Sequence, residues 1–129
     1  MLAVAATAVI AITACSKIPP HLRNGYVPPD MMAEQYLDAV RWQTYEDARL
    51  FIAPQALPAF DEFIKKNSGK LSITDYKMTD IQISPDGLKA TIKVKRSYYI
   101  FPSVSQKDEE MIQTWVLING RWFLSGPPF

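Results

Sequence analysis

Met111-Ile112-Gln113-Thr114-Trp115-Val116-Leu117-Ile118-Asn119-Gly120-Arg121-Trp122 is the stretch on which the fold turns. From Met111 to Ile118 apolar residues fall on both faces of an extended chain, with Met111, Trp115 and Leu117 on one and Ile112, Val116 and Ile118 on the other. That is a long strand, and the Asn119-Gly120 that follows is the dipeptide best suited to a two-residue hairpin. Arg121 to Ser125 then returns beside it, until Gly126-Pro127-Pro128 ends the pairing. A strand buried on one face alone would alternate apolar with polar residues. Something is therefore expected to cover the second face, either a second copy of the sheet or the N-terminal segment folding back.

Upstream, Leu88, Ala90, Ile92 and Val94 alternate with Lys89, Thr91, Lys93 and Lys95, an inward and an outward row of one strand. This strand runs on through Tyr98 and Ile100 to a loop expected over Pro102 to Asp108. Ser84-Pro85-Asp86-Gly87 places Pro and Gly where a tight turn wants them and joins it to a preceding strand from Leu71. In that strand Ile73 falls on one face, Tyr76 and Met78 on the other, and Ile81 and Ile83 on the first again. Two phase switches predict bulges near Thr74-Asp75 and Thr79-Asp80.

Before Leu71 the period is helical. Asp30 is the expected N-cap of a helix whose Ala33, Leu37 and Val40 share a face, with Met32 and Tyr36 beside them. Thr44 is expected to cap a second, short helix, which buries Tyr45, Ala48, Phe51 and Ile52. Pro58 suits the first turn of a third, which buries Phe60, Phe63 and Ile64 and ends at Lys65-Lys66. Helices first, then long antiparallel strands joined by tight turns, is an α+β plan with helices packed on a curved antiparallel sheet of about four strands. Leu37, Val40, Phe60, Phe63, Ile92, Val94 and Trp115 are the expected core.

The start of the chain reads differently. An uncharged stretch rich in Ala, Val and Ile ends at Ile12-Thr13-Ala14-Cys15, with small residues directly before the only cysteine. It is too short for the ~20 apolar residues of a membrane span and has no amphipathic stripe, so it is expected to be an export signal over residues 1–14. The motif resembles the lipobox of bacterial lipoproteins, although the basic residues that open such signals do not precede it. The resemblance implies a diacylglyceryl (and commonly palmitate) anchor on Cys15, cleavage before it, and a place in the cell envelope. Ser16 after the Cys implies the periplasmic face of the outer membrane. Residues 15–29, with Pro19-Pro20 and Pro28-Pro29, are expected to be a tether that is extended or packs on the domain. Residues 30–129 are the expected α+β domain.

With Cys15 lipidated no thiol remains for a disulfide, a thiolate nucleophile or a cysteine metal site, and neither metal nor cofactor is expected. Lys and Arg number 14 against 13 Asp and Glu, so no basic field recruits nucleic acid. About 115 residues remain after the signal, the size of one domain.

Tyr36-Leu37-Asp38-Ala39-Val40, Tyr45-Glu46-Asp47-Ala48, Trp115-Val116-Leu117 and Asn119-Gly120-Arg121-Trp122, in this order, resemble the nuclear-transport-factor-two-like fold, an α+β cone. That fold hosts isomerases, dehydratases, secretion-machine assembly factors and uncharacterised lipoprotein domains, so it does not settle function. Its enzymes use an acid–base residue, commonly Asp or His, inside the cone beside a Tyr or a second acid. The only histidine, His21, falls in the tether; Asp75 and Asp80 are either edge carboxylates or an inward pair with Tyr76 or Tyr98. Arg96 has inward parity between Val94 and Tyr98. It is either an anion-binding group at the cone mouth, with Tyr98 and Gln113 as neighbours, or a residue that reaches solvent or pairs with Glu109 or Glu110. The row Lys77, Lys89, Lys93, Lys95 is a solvated strand face or a stripe for anionic lipid or polysaccharide.

No set of residues supplies nucleophile, base and orienting group together, so no catalytic residue is assigned. The expectation is a non-enzymatic binding or assembly lipoprotein, held to the membrane through Cys15, with a protein partner or small ligand and a homodimer through the sheet. The alternative is a cone-pocket enzyme of isomerase or hydrolase type.

Overall fold

The structure, a computed structural model, describes residues 25–129. The expected export signal, Cys15, His21 and the expected tether as far as residue 24 lie outside the described residues. Three helices, α1 (Pro29–Arg41), α2 (Tyr45–Arg49) and α3 (Leu57–Asn67), precede four strands, β1 (Leu71–Ile83), β2 (Lys89–Ile100), β3 (Lys107–Ile118) and β4 (Arg121–Leu124). The strands form one antiparallel sheet in the order β1-β2-β3-β4, and the helices cover one face of it. Among the described residues no helix is long and apolar enough to cross a membrane.

Both bulges of β1 occur where the phase switches require them, between Ile73 and Asp75 and between Met78 and Asp80. Their effect is to restore the face. Ile73, Tyr76, Met78, Ile81 and Ile83 oppose Tyr98, Arg96, Val94, Ile92 and Ala90 and all share the inward side. The apparent change of face in the sequence is thus removed by the extra residues. Asn119 and Gly120 turn the β3–β4 hairpin with φ of 51° and 81°, the pair of positive values that a type I′ turn demands. The outer edge of β4 is partly covered by the chain after α2. The Ala53 amide donates to the Leu124 carbonyl (2.9 Å) and the Leu124 amide to that of Phe51 (2.8 Å).

The core lies between helices and sheet. Tyr36, Leu37, Val40, Phe60, Ile92, Val94, Trp115, Trp122 and Leu124 are all buried. Trp115 meets Tyr36 edge to face, with centroids 5.9 Å apart. Trp122 donates its indole N–H to the Tyr26 hydroxyl at 3.0 Å, so residues just before α1 pack on the domain.

Several local expectations change. Asp30 is not the cap of α1: Pro28 holds that position, and Pro29, whose fixed φ suits a first helical turn, moves the start two residues earlier. Asp30 instead lies in the first turn, favourably placed for the helix dipole. The Thr44 hydroxyl does not cap α2 but donates back to the Ala39 carbonyl at 3.0 Å. Leu88 has inward parity but lies beyond the helices and is 48% exposed. Phe63 is half-buried, because α3 presents Phe60 directly to the core and Phe63 beside it. The loop before β3 is shorter than expected, since Lys107 and Asp108 already pair with Tyr98 and Ser97.

Candidate functional site

The residues of interest converge on the inward face of the sheet where it opens beyond α1 and α3. Strand register sets Tyr76, Arg96 and Glu109 side by side on β1, β2 and β3. Arg96 Nε donates to Glu109 Oε1, and the Arg96 side chain is 10% exposed. Its guanidinium lies 5.5 Å from the Tyr98 ring centroid and directs Nη1 towards the Phe129 carbonyl oxygen, 3.4 Å away. Of the two readings of Arg96, pairing with Glu109 is the contact present, and the group stays on the inner wall. A charge this enclosed needs such a partner.

Gln113 is deeper and fully buried. Its Oε1 accepts from Trp115 Nε1 at 3.3 Å, and its Nε2 donates to the Pro128 carbonyl at 3.4 Å. Arg96 and Tyr98 are thus brought together directly. Gln113 is joined to them through Pro128 and Phe129, which lie across the opening.

Phe129 is buried and seated among aromatic rings. It meets Phe60 edge to face at 5.1 Å and Phe63 at 5.7 Å, and Phe60 and Phe63 stack at 5.6 Å. The sequence marks Gly126-Pro127-Pro128 only as the end of pairing and gives no periodic signal for a single aromatic beyond it.

Two further polar groups escape a reading by pattern. The hydroxyls of Tyr36 on α1 and Tyr45 on α2 are buried without a hydrogen-bond partner among the described residues. Burial pushes both phenols above the ordinary tyrosine range, and in both the nearby positive charge of Arg96 opposes the shift. The available signal was that a tyrosine on an apolar helix face must find a partner for its hydroxyl or leave it unmet.

The carboxylates are arranged otherwise. Tyr76 donates its hydroxyl to Asp38 Oδ1 at the rim, and burial together with this bond pushes the Tyr76 phenol up. Asp38 itself is exposed. Asp75 and Asp80 sit at the bulges, exposed, opposite Ser97 and Lys93. The outer face carries Lys77, Lys89, Lys93 and Lys95 interleaved with acids: Lys93 pairs with Glu110 at 3.7 Å. An open groove of about 500 Å³ crosses this end of the sheet, lined by Asp75, Lys77, Lys95, Asp108 and Glu110 and also by Arg96, Ser97 and Glu109. Beside it Ile112, 53% exposed, continues into half-buried Val116, Ile118 and Phe123. Among the described residues no cluster of His, Cys, Asp and Glu could hold a metal ion.

No family model matches the chain, and no curated protein matches it either. Solved structures do. A SEC-C motif containing protein from Rhodopseudomonas palustris superimposes with a TM-score of 0.65 at 11% identity, over 75% of this chain and 74% of that one. An LEH-like epoxide hydrolase from M. tuberculosis gives 0.57 at 10% identity, over 74% and 72%. An NTF2-like protein from Cytophaga hutchinsonii gives 0.54 at 12% identity, over 74% and 88%. At these identities the likeness shows the fold, which is nuclear-transport-factor-two-like, and leaves activity to be argued from the site.

Proposed function

We propose that the chain is an envelope lipoprotein, anchored through Cys15, whose cone domain binds a protein partner or small ligand without transforming it. The observation that carries the binding reading is the polar inventory of the inner wall. Arg96, Gln113, Tyr36 and Tyr45 all offer donors, and the carboxylate among them, Glu109, is held by the guanidinium. Such a wall recognises acceptors. A general base must reach the substrate with a free lone pair; the one carboxylate of this wall among the described residues, Glu109, is engaged at Oε1 by the Arg96 guanidinium. The anchor is supported by Ile12-Thr13-Ala14-Cys15.

The outer face supports a homodimer through the sheet. Ile112, Val116 and Phe123 form its apolar centre, and flanking lysines and acids of both signs allow a self-complementary pairing.

One observation favours the enzyme alternative, the Tyr76–Asp38 pair at the rim. Asp38 is exposed to solvent rather than enclosed in the cone. The membrane arm of the proposal is tested by fractionation in a Gram-negative host. Wild type should sediment with the outer membrane and Cys15→Ser should become soluble, since stable attachment takes two or more acyl chains. Identical soluble behaviour of both proteins would refute the anchor, and recovery with the inner membrane would refute the assigned membrane.

A further inference from the structure

Large apolar side chains exposed singly are commonplace, but several at one end of a fold mark a contact surface. Trp42, Phe101 and Val104 are 69%, 63% and 85% exposed, and all three lie at the end of the sheet where β1 begins and β2 ends. One backbone segment joins them. The Phe101 amide donates to the Lys70 carbonyl at 2.8 Å. On either side of Lys70, the Gly69 amide and the Leu71 carbonyl bond to the side chain of Gln43, the residue after Trp42. Val104 stands on the loop that follows Phe101, exposed as far as Gln106. The Trp42 ring is stacked by the Arg41 guanidinium, 5.2 Å from its centroid, and otherwise faces water, whereas Trp115 and Trp122 are buried.

The rim of this surface carries lysines. Lys65 and Lys66 end α3 just before the joining segment, Lys70 lies within it, and Lys107 opens β3 beyond the loop; all four are exposed. The acids at this end are Asp108, which accepts from Ser97 Oγ at 2.6 Å, and Glu46 and Asp47 on α2. Lysine is depleted in protein–protein interfaces. Tryptophan and other apolar groups flanked by lysine instead follow the pattern that settles at the headgroup level of a bilayer, where the cations meet anionic lipid. A helix end and a loop tip carry the apolar groups here, which suits insertion between headgroups better than a flat complementary face.

We propose that Trp42, Phe101 and Val104 form a lipid-contact surface, by which the domain itself rests on an anionic bilayer with Lys66, Lys70 and Lys107 towards the headgroups. This contact goes beyond the anchor proposed above and does not depend on it. The described chain enters at the opposite end of the sheet, where Gly25 and Val27 lie beside Gly120 and Trp122. Residues 15–24 reach at most about 33–36 Å at full extension. The 12 residues of β2 span ~40 Å. A lipid on Cys15 and this surface can therefore share one bilayer only if the strands tilt towards its plane.

The test is tryptophan fluorescence of the full chain, as purified from its host, mixed with phosphatidylglycerol vesicles whose acyl chains are brominated. Of the 3 tryptophans, Trp42 is the exposed one. Contact should shift its emission to the blue and the bromines should quench it, and Trp42→Phe should lose both changes. Phe101→Ser combined with Val104→Ser should lose most of the quenching, and phosphatidylcholine vesicles should quench several-fold less than phosphatidylglycerol. An unshifted, unquenched wild type would overturn the proposal, as would undiminished quenching in Trp42→Phe or in the double variant. Equal quenching by the two lipids would overturn the part given to the lysines. Emission that responds to envelope protein extract while vesicles are inert would make this a protein interface and overturn the lipid assignment. Lipidation of Cys15 is read separately, from the intact mass. Quenching of an unlipidated chain would keep this surface and refute the anchor; a lipidated chain without quenching would keep the anchor and refute the surface.

Discussion

Tyr36 carries a hydroxyl into a place where packing needs only a ring. The hydroxyl is buried without a partner among the described residues, and an unmet buried donor costs about 1–3 kcal/mol. Tyr36→Phe should therefore raise stability by ~1 kcal/mol at neutral pH, measured by urea denaturation. Because burial pushes the folded-state phenol upward, the fold favours its protonated form. Its contribution is complete below the unfolded value of about 10 and is lost as pH rises above it, when the unfolded chain ionises first. The variant should lose less stability than wild type between neutral pH and pH values above about 10; an equal alkaline loss would show that this hydroxyl is not desolvated. Arg96 illustrates how far a single residue was legible. Alternation placed it on the inner wall, and the need of an enclosed charge for a partner pointed to Glu109 or Glu110. Register, which pairs it with Glu109, decides between them. Gln43 was not legible. It ends α1 at φ 57°, a conformation usually left to Gly or Asn. Its side chain bridges the Leu71 carbonyl (3.2 Å) and the Gly69 amide (3.3 Å), partners 26 or more residues away.

Among the elements, α3 gives the sharpest contrast. Phe60 is fully buried and Phe63 half-buried on the same helix. Phe60→Ala should cost ~3–5 kcal/mol, and Phe63→Ala roughly 1–2 kcal/mol because part of its ring already meets water. Equal losses in thermal or urea melts would mean that the helix is rotated from the position described. The strands were the legible elements, since period-two alternation, Asn119-Gly120 and the phase slips of β1 each have one structural meaning. Helix starts were less so. Asp30 and Thr44 satisfy a capping pattern, yet Pro29 pre-empts one position and the Ala39 carbonyl competes for the other. Phe129 lay beyond any element, and an isolated aromatic after a Pro-rich turn has no period to read.

At the scale of the whole molecule, assembly turns on the outer face of the sheet. If a second copy covers Ile112, then Ile112→Asp should convert the dimer to a monomer in light scattering and leave the melting curve of the isolated domain nearly unchanged, since the residue is exposed within one chain. A monomeric wild type at high micromolar concentration would refute the sheet-to-sheet dimer. The fold was legible at this scale from the order of its elements; the proposed anchor rests on a short motif outside the described residues. The account as a whole requires a cone domain held at the envelope by a lipid on Cys15. The most direct measurement is the intact mass of the protein extracted from membranes of a Gram-negative host. The account predicts a chain that begins at Cys15 and carries a diacylglyceryl thioether with an added N-terminal acyl group. A chain that retains residues 1–14, or one cut elsewhere with an unmodified Cys15 thiol, would contradict it.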